Sequence, residues 1–306
     1  MTYIHTDQFR CAIIRGKAQI ELDNLLPFYA SVISEICPTS ADNFFSFFKE
    51  KLEAKFGKNI TDKALNNHRT EIAGKLFGMY YIDAQEVVHI SERTLKLLED
   101  NDQPAFFKDL CFKMQFPSGM NVKKTVFSRM DLGINIRQLC YVVAVLKACE
   151  KLNIFLEMEQ IGYYVLNSLS ALTRQANVEE VVLQIEIDIK ANIIRKVPNP
   201  LNKKPSYTTQ HIREQLTLLQ LANVLIRSGR IYKLNYKENA FIDYMIKFAE
   251  QAPEFDFYSI ENIINAEVYD RVQIEWDYFM SKISDIPAEL LKLSLKSKHV
   301  FFSELV

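Results

Sequence analysis

One short pattern occurs twice in this chain, 143 residues apart from Asn67 to Gln210, and it restricts the architecture more than any other feature. Asn67-His68-Arg69-Thr70-Glu71 lies on the first turns of a helix that runs through Ala73, Lys75, Leu76 and Phe77. Two strand-like runs follow, Met79 to Asp83 and Glu86 to Ile90. Gln210-His211-Ile212-Arg213-Glu214 repeats the arrangement, through Leu216, Leu219 and Leu221 into Val224 to Arg227 and Arg230 to Leu234. In both copies an amide, a histidine, an arginine and a glutamate sit on a helix that feeds a two-stranded wing. A winged helix-turn-helix offers its recognition helix to a major groove in this way. Two unlike copies in one chain point to a monomer straddling one asymmetric duplex site.

A net charge of −1 argues against nucleic acid only until its distribution is examined. Residues 189–237 hold ten Lys/Arg against the single acid Glu214, whereas residues 238–306 hold six Lys/Arg against thirteen Asp/Glu. Segregation of this kind is compatible with phosphate binding by the basic segment, and equally with an exposed linker and a solvated acidic face. Eight glycines in 306 residues and long runs at helical spacing predict a mainly helical protein. Five cysteines without a CxxC spacing argue against a disulfide framework and a zinc site, and suit a reduced, cytoplasmic chain. The longest apolar run, Leu139 to Leu146, is far below the roughly 20 residues of a membrane span.

The expected architecture is mainly α with small β wings, as two winged-helix subdomains joined by a helical linker subdomain. Residues 1–17, with Arg10, Arg15 and Lys17 ahead of any periodicity, read as an arm that is poorly ordered until it closes on a ligand. Residues 18–102 form the first winged-helix subdomain. Its helices are expected near 18–36, where Pro27 should kink or split the helix, at 42–56, and from an N-cap at Thr61 to about Phe77. Residues 103–196 form the linker, with helices at 106–116, 136–152, 157–169 and 178–194. Three prolines in 198–205 make a loop. The second recognition helix and wing occupy 197–238, with Ser228-Gly229 as the wing turn. Residues 239–306 read as an acidic helical tail packed on the body.

At about 100° per residue, Leu65, Ile72 and Leu76 mark the buried face of the first motif helix. Asn67, Thr70, Glu71 and Gly74 then point outward, His68 and Lys75 lie on the flank, and Arg69 falls near the apolar side. In the second copy Ile212, Leu216 and Leu219 face the core. Gln210, Arg213 and Glu214 point outward, and His211 lies on the flank. Amides pair with adenine, arginine with guanine, and glutamate accepts from cytosine N4. Each glutamate is also explained as an acid favoured by the positive end of a helix. The candidate DNA contacts are Arg10, Arg15, Lys17, Asn67, His68, Arg69, Thr70, Glu71, Lys75, Thr208, Gln210, His211, Arg213, Glu214, Arg227 and Arg230.

Neither histidine has a second His or Cys at ligand spacing, so no metal is expected. No nucleophile elbow or Gly-rich phosphate loop occurs. Asp188-Ile-Lys190 has the form of half a nuclease carboxylate site, but it lacks a preceding Pro-Asp and follows a helical pattern.

The residues already quoted, together with Gln8-Phe-Arg-Cys11, Ile13 to Lys17, Leu22 to Pro27, Gln103 to Asp109 and Tyr163 to Leu169, resemble the N-terminal DNA-recognition domain of the BpuJI family of type IIS restriction endonucleases. The matches run in order to about residue 280. The resemblance implies two winged-helix subdomains, a helical linker, and an N-terminal arm that helps to read an asymmetric site. It places Arg10, Arg15 and Lys17 on the arm and the two His-Arg-Glu helices in the groove. The family's Mg²⁺-dependent nuclease has no counterpart in these 306 residues. Mg²⁺ is therefore expected only for a nuclease domain or subunit acting in cis or in trans. The competing reading is a standalone winged-helix transcriptional regulator.

Overall fold

The computed structural model describes residues 4, 6–14, 16, 19–198, 205–260, 263 and 265–294, with backbone alone for 19–20 and 205–208. The first region comprises α1 (Gln19–Ile36), β1 (Thr39–Ser40), α2 (Ala41–Phe56) and α3 (Asp62–Asn66), which passes directly into a π-helical stretch, Asn67–Leu76. It closes with β2 (Tyr80–Ile82) and β3 (Val87–Ile90). Helix α1 continues through Pro27 rather than splitting. Ser40 and Thr61 cap α2 and α3 by accepting from the Asn43 and Ala64 amides, so both starts follow the sequence pattern. The sheet has the order β1-β3-β2 and is antiparallel throughout.

The middle of the chain contains α4 (Glu92–Asp100), α5 (Gln103–Lys113), α6 (Lys123–Asp131), α7 (Gln138–Lys151), β4 (Leu156–Glu157) and α8 (Met158–Ile161). A second π-helical stretch, Gly162–Leu166, follows α8, and α9 (Leu169–Leu172) and α10 (Val178–Lys190) complete this part. Helix α6 has no counterpart in the sequence reading; its Lys-Lys-Thr-Val-Phe-Ser-Arg-Met-Asp composition carries too weak an apolar stripe. Then come α11 (Pro205–Leu221), β5 (Leu225–Ser228), β6 (Ile231–Leu234), α12 (Asn239–Lys247), α13 (Ala266–Ser281) and α14 (Ala288–Leu291). Gly229 takes φ +62° at the β5–β6 turn, a conformation glycine reaches without a Cβ clash.

The second sheet has the order β4-β6-β5, the same topology as the first. Its third strand pairs Leu156 with Tyr232 and Glu157 with Ile231, so the sheet crosses the boundary expected at residue 196. A two-residue strand is too short to show alternation, which is why the sequence did not reveal it. The two sheets share one pattern: a short strand ahead of the helices supplies the edge partner of a later hairpin.

The described residues of the expected acidic tail contact the rest of the chain. Helix α13 lies against β2, and α12 against α7. Buried charges on α5 tie the tail down. Lys108 Nζ reaches Glu238 at 2.7 Å and donates to the carbonyls of Leu290 and Lys292. Asp109 receives Arg93 Nε at 2.6 Å and the Ser284 amide at 2.7 Å. Removing one partner of such a desolvated pair costs on the order of 3–5 kcal/mol, because the other charge stays buried.

Candidate nucleic-acid interface

The two motif helices begin five residues before their motifs, at Asp62 and at Pro205, so Asn67 and Gln210 are each the sixth residue of a helix. Glu71 and Glu214 therefore lie in the third turn, beyond the reach of the helix-terminus field. The structure removes that explanation of the glutamates. Glu71 instead pairs with Lys75, Oε1 to Nζ 3.3 Å, with both side chains half-buried.

Both histidines correct the flank placement, because both are buried. The π-helical stretch advances less per residue than an α-helix, and this turns His68 inward onto α1, where its Nδ1 lies 2.5 Å from the Tyr29 hydroxyl. Phe56 packs beside it with ring centroids 5.6 Å apart. His211 belongs to a regular α-helix, and its flank is covered by the arm, whose Ile13 amide donates to His211 Nδ1 at 3.3 Å. Both rings are engaged within the chain.

The remaining candidates divide by exposure. Arg213, Arg227 and Arg230 are exposed, and Arg227 Nε bonds the carbonyl of its own turn residue Gly229 at 3.0 Å. Asn67, Thr70, Gln210, Glu214 and Arg10 are half-buried. Arg69 lays its guanidinium over the Phe45 ring at 3.8 Å, consistent with its expected position near the apolar side. Arg15 and Lys17 lie outside the described residues, as does the side chain of Thr208. Other basic residues of 189–237 are engaged within the chain: Lys190 with Glu186 at 2.7 Å, Arg195 with Asp188 at 2.9 Å, and Lys233 over Phe155 at 4.6 Å.

The arm is the main departure from expectation. It is tied to the body. Residues 7–9 pair with 167–169, and the Phe9 and Cys11 amides donate to Asn167 O (2.6 Å) and Asn167 Oδ1 (3.3 Å). Gln215 Nε2 reaches Cys11 O at 3.4 Å, and the buried Arg129 guanidinium donates to Ala12 O. Cys11 and Ile13 are buried, and burial pushes the Cys11 thiol up to about 12. The alternation Phe9, Cys11, Ile13 was the available signal: a half-buried strand has this period. Gly16 lies beside both motif helices. A Cβ built on Gly16 would stand 3.4 Å from Glu214 Oε2 and 3.6 Å from Leu76 Cδ2.

A second cleft, at the first motif, is lined by Thr70, Lys75, Tyr80, Tyr81 and Asp277 of α13. Gly74 lets the Tyr80 ring approach the helix closely: a Cβ there would meet the hydroxyl at 3.0 Å, and that hydroxyl donates to Arg69 O at 3.2 Å. Burial pushes Asp277 up to about 6, against the opposing pull of the Gln273 amide and the Lys75 charge. Sequence reasoning missed Asp277 because nothing along the chain connects α13 with a helix some 200 residues earlier.

Asp188 sits in α10, buried, and holds Tyr164 Oη at 2.7 Å, Gln184 Nε2 at 3.2 Å and Arg195 Nε at 2.9 Å. Burial alone would raise its pKa, but the bonds from Arg195 and Tyr164 outweigh it and hold the carboxyl below the usual range. Its neighbour in the Asp-x-Lys sequence, Lys190, is exposed and pairs with Glu186. Among the described residues no three His, Cys, Asp or Glu side chains gather to hold a metal ion, and no helix is long and apolar enough to cross a membrane.

Comparison with known proteins adds a family to this geometry. No curated protein matches the chain. A crystal structure of the BpuJ1 endonuclease binding domain, in complex with pyrene- and phenanthrene-modified DNA, superposes with a TM-score of 0.87 at 45% sequence identity. The match covers 91% of this chain and 99% of that one. The family model of restriction endonuclease BpuJI, N-terminal, matches residues 3–279. The chain therefore belongs to the family of BpuJI restriction endonuclease N-terminal domains.

Proposed function

We propose that this chain is the sequence-specific DNA-recognition module of a type IIS-like restriction endonuclease, and that it reads one asymmetric duplex site as a monomer. The observation that carries the reading is the convergence of the arm with both motif helices at Gly16, in a chain 45% identical to a domain solved on DNA. Two unlike helices and an arm form one non-repeating surface, which suits a site without a palindrome. Arg213, Asn67, Thr70, Gln210 and Glu214 are the base-reading candidates, and Glu71–Lys75 supplies a paired acceptor and donor beside them. Arg227 and Arg230 on the second wing suit phosphate contacts, which position the module without reading sequence. Arg10, Arg15 and Lys17 extend the contact from the arm.

Binding needs no metal in this reading, and cleavage belongs to a nuclease domain or subunit in cis or in trans. The standalone regulator is not favoured, since the family is that of an endonuclease. Selection from random duplexes by the purified chain in EDTA tests the proposal. One asymmetric sequence of roughly five to seven base pairs, bound at about 10⁻⁸ to 10⁻¹¹ M, is expected. Enrichment of palindromes alone, or of nothing, would refute it.

A further inference from the structure

We infer that the inward flank of α11 is a clamp for the arm: His211, with Gln215 and Asn167, governs base preference by holding arm residues 8–13 in register, not by touching DNA. This rests on the reading of the chain as a DNA-recognition module.

In an extended segment alternate amides point to the same side. Phe9, Cys11 and Ile13 are three such alternate positions, and each amide has its own acceptor: Asn167 O, Asn167 Oδ1 and His211 Nδ1. Two carbonyls are held as well, Cys11 O by Gln215 and Ala12 O by Arg129. Cys11 and Ile13 fill the core, so a slip by one residue would expose both and turn Arg10 over. His211 and Gln215 stand one turn apart on the same helix that carries Arg213 on its exposed side. The base-reading side of α11 and the position of the arm are thereby joined through one rigid element. His211 accepts at Nδ1, so that nitrogen must be unprotonated. Asparagine places an acceptor oxygen near the same point, whereas leucine fills the space without one.

The test uses the whole chain, with His211→Leu and His211→Asn as the variants. Hydrogen exchange in peptide 6–14 of the free protein reads the clamp without any DNA. Anisotropy with the duplex selected by the wild type and with a random duplex reads preference. For His211→Leu we expect exchange to accelerate by about tenfold or more. The selected-to-random affinity ratio should also fall by about tenfold or more, with the salt dependence unchanged because phosphate contacts remain. His211→Asn should stay near the wild type in both. Unchanged exchange in His211→Leu would overturn the clamp. Faster exchange with an unchanged ratio would overturn its part in base preference. If the wild type itself selects no duplex, the DNA-recognition reading has failed, and that is seen before any variant is made.

Discussion

The two motif helices carry an amide, a histidine and a glutamate at the same distance from their N-termini, with the arginine one residue later in the second copy, and they live in different surroundings. The first is π-helical and enclosed: Glu71 neutralises Lys75, Arg69 lies on Phe45, His68 bonds Tyr29, and α13 brings Asp277 to within reach of its charge. The second is a regular helix with Arg213 open to solvent, beside a wing that exposes Arg227 and Arg230. Its histidine holds the arm instead of a neighbouring helix. A repeated motif thus specifies a position on a helix, whereas the electrostatics of each copy come from what packs around it. On the proposed reading, the enclosed helix would read by shape and paired groups, and the open one would read and anchor by charge.

The largest effect separates the arm from a mere extension. Deleting residues 1–14 should destabilise the chain by about 3–5 kcal/mol, because two buried side chains and several hydrogen bonds go with them. Urea unfolding measures this; an unchanged midpoint would mean that the arm is held as loosely as its basic composition suggests. Next, Arg213→Ala should cost about 1–3 kcal/mol on the selected duplex and relax preference at one base pair. Arg69→Ala should leave the affinities for selected and random duplexes nearly unchanged, since its guanidinium is occupied by Phe45. Equal behaviour of the two arginines in a binding titration would abolish the contrast between the helices.

A smaller effect belongs to the enclosed copy and depends on pH. Asp277 is protonated more readily folded than unfolded, so folding takes up a proton between its unfolded value near 4 and about 6. The contribution of Asp277 to stability should therefore rise as pH falls through 6 and level off below about 4. Asp277→Asn should flatten this profile and gain about 1 kcal/mol at pH 7, measured by thermal unfolding across pH. Asp277→Asn should also bind DNA more tightly than the wild type at pH 7, because a negative charge beside the first motif is gone. The smallest effect is on the open wing. Arg227→Ala or Arg230→Ala should weaken all duplexes alike, lowering the slope of log affinity against log salt by about 0.9 for each phosphate that is no longer neutralised.

Much of this arrangement could be read along the chain. The cap at Thr61, the hairpins after each motif helix and the wing turn at Gly229 follow from local patterns of polarity and turn residues. Arg69 near the apolar side and the place of Asp188 in a helix were legible in the same way, but the burial of Asp188 under Tyr164 and Arg195, where a surface position was expected, was not. The histidines were not, because a regular 100° advance fails across Asn67–Leu76 and because nothing local announces that an arm covers His211. The arm was misjudged by weighing its charges above its apolar alternation.

By itself, then, the amino-acid sequence determined what neighbours within a few residues can decide: helix starts, hairpins, the duplicated motif and the family those motifs carry. Only the tertiary structure decided which motif residues remain open to a partner. Residues 13 and 211, 29 and 68, and 75 and 277 meet through folding alone. Burial, hydrogen-bond partners and the pKa of Asp277 all depend on those meetings. Chemical type travels with the sequence, but availability depends on what the rest of the chain brings alongside.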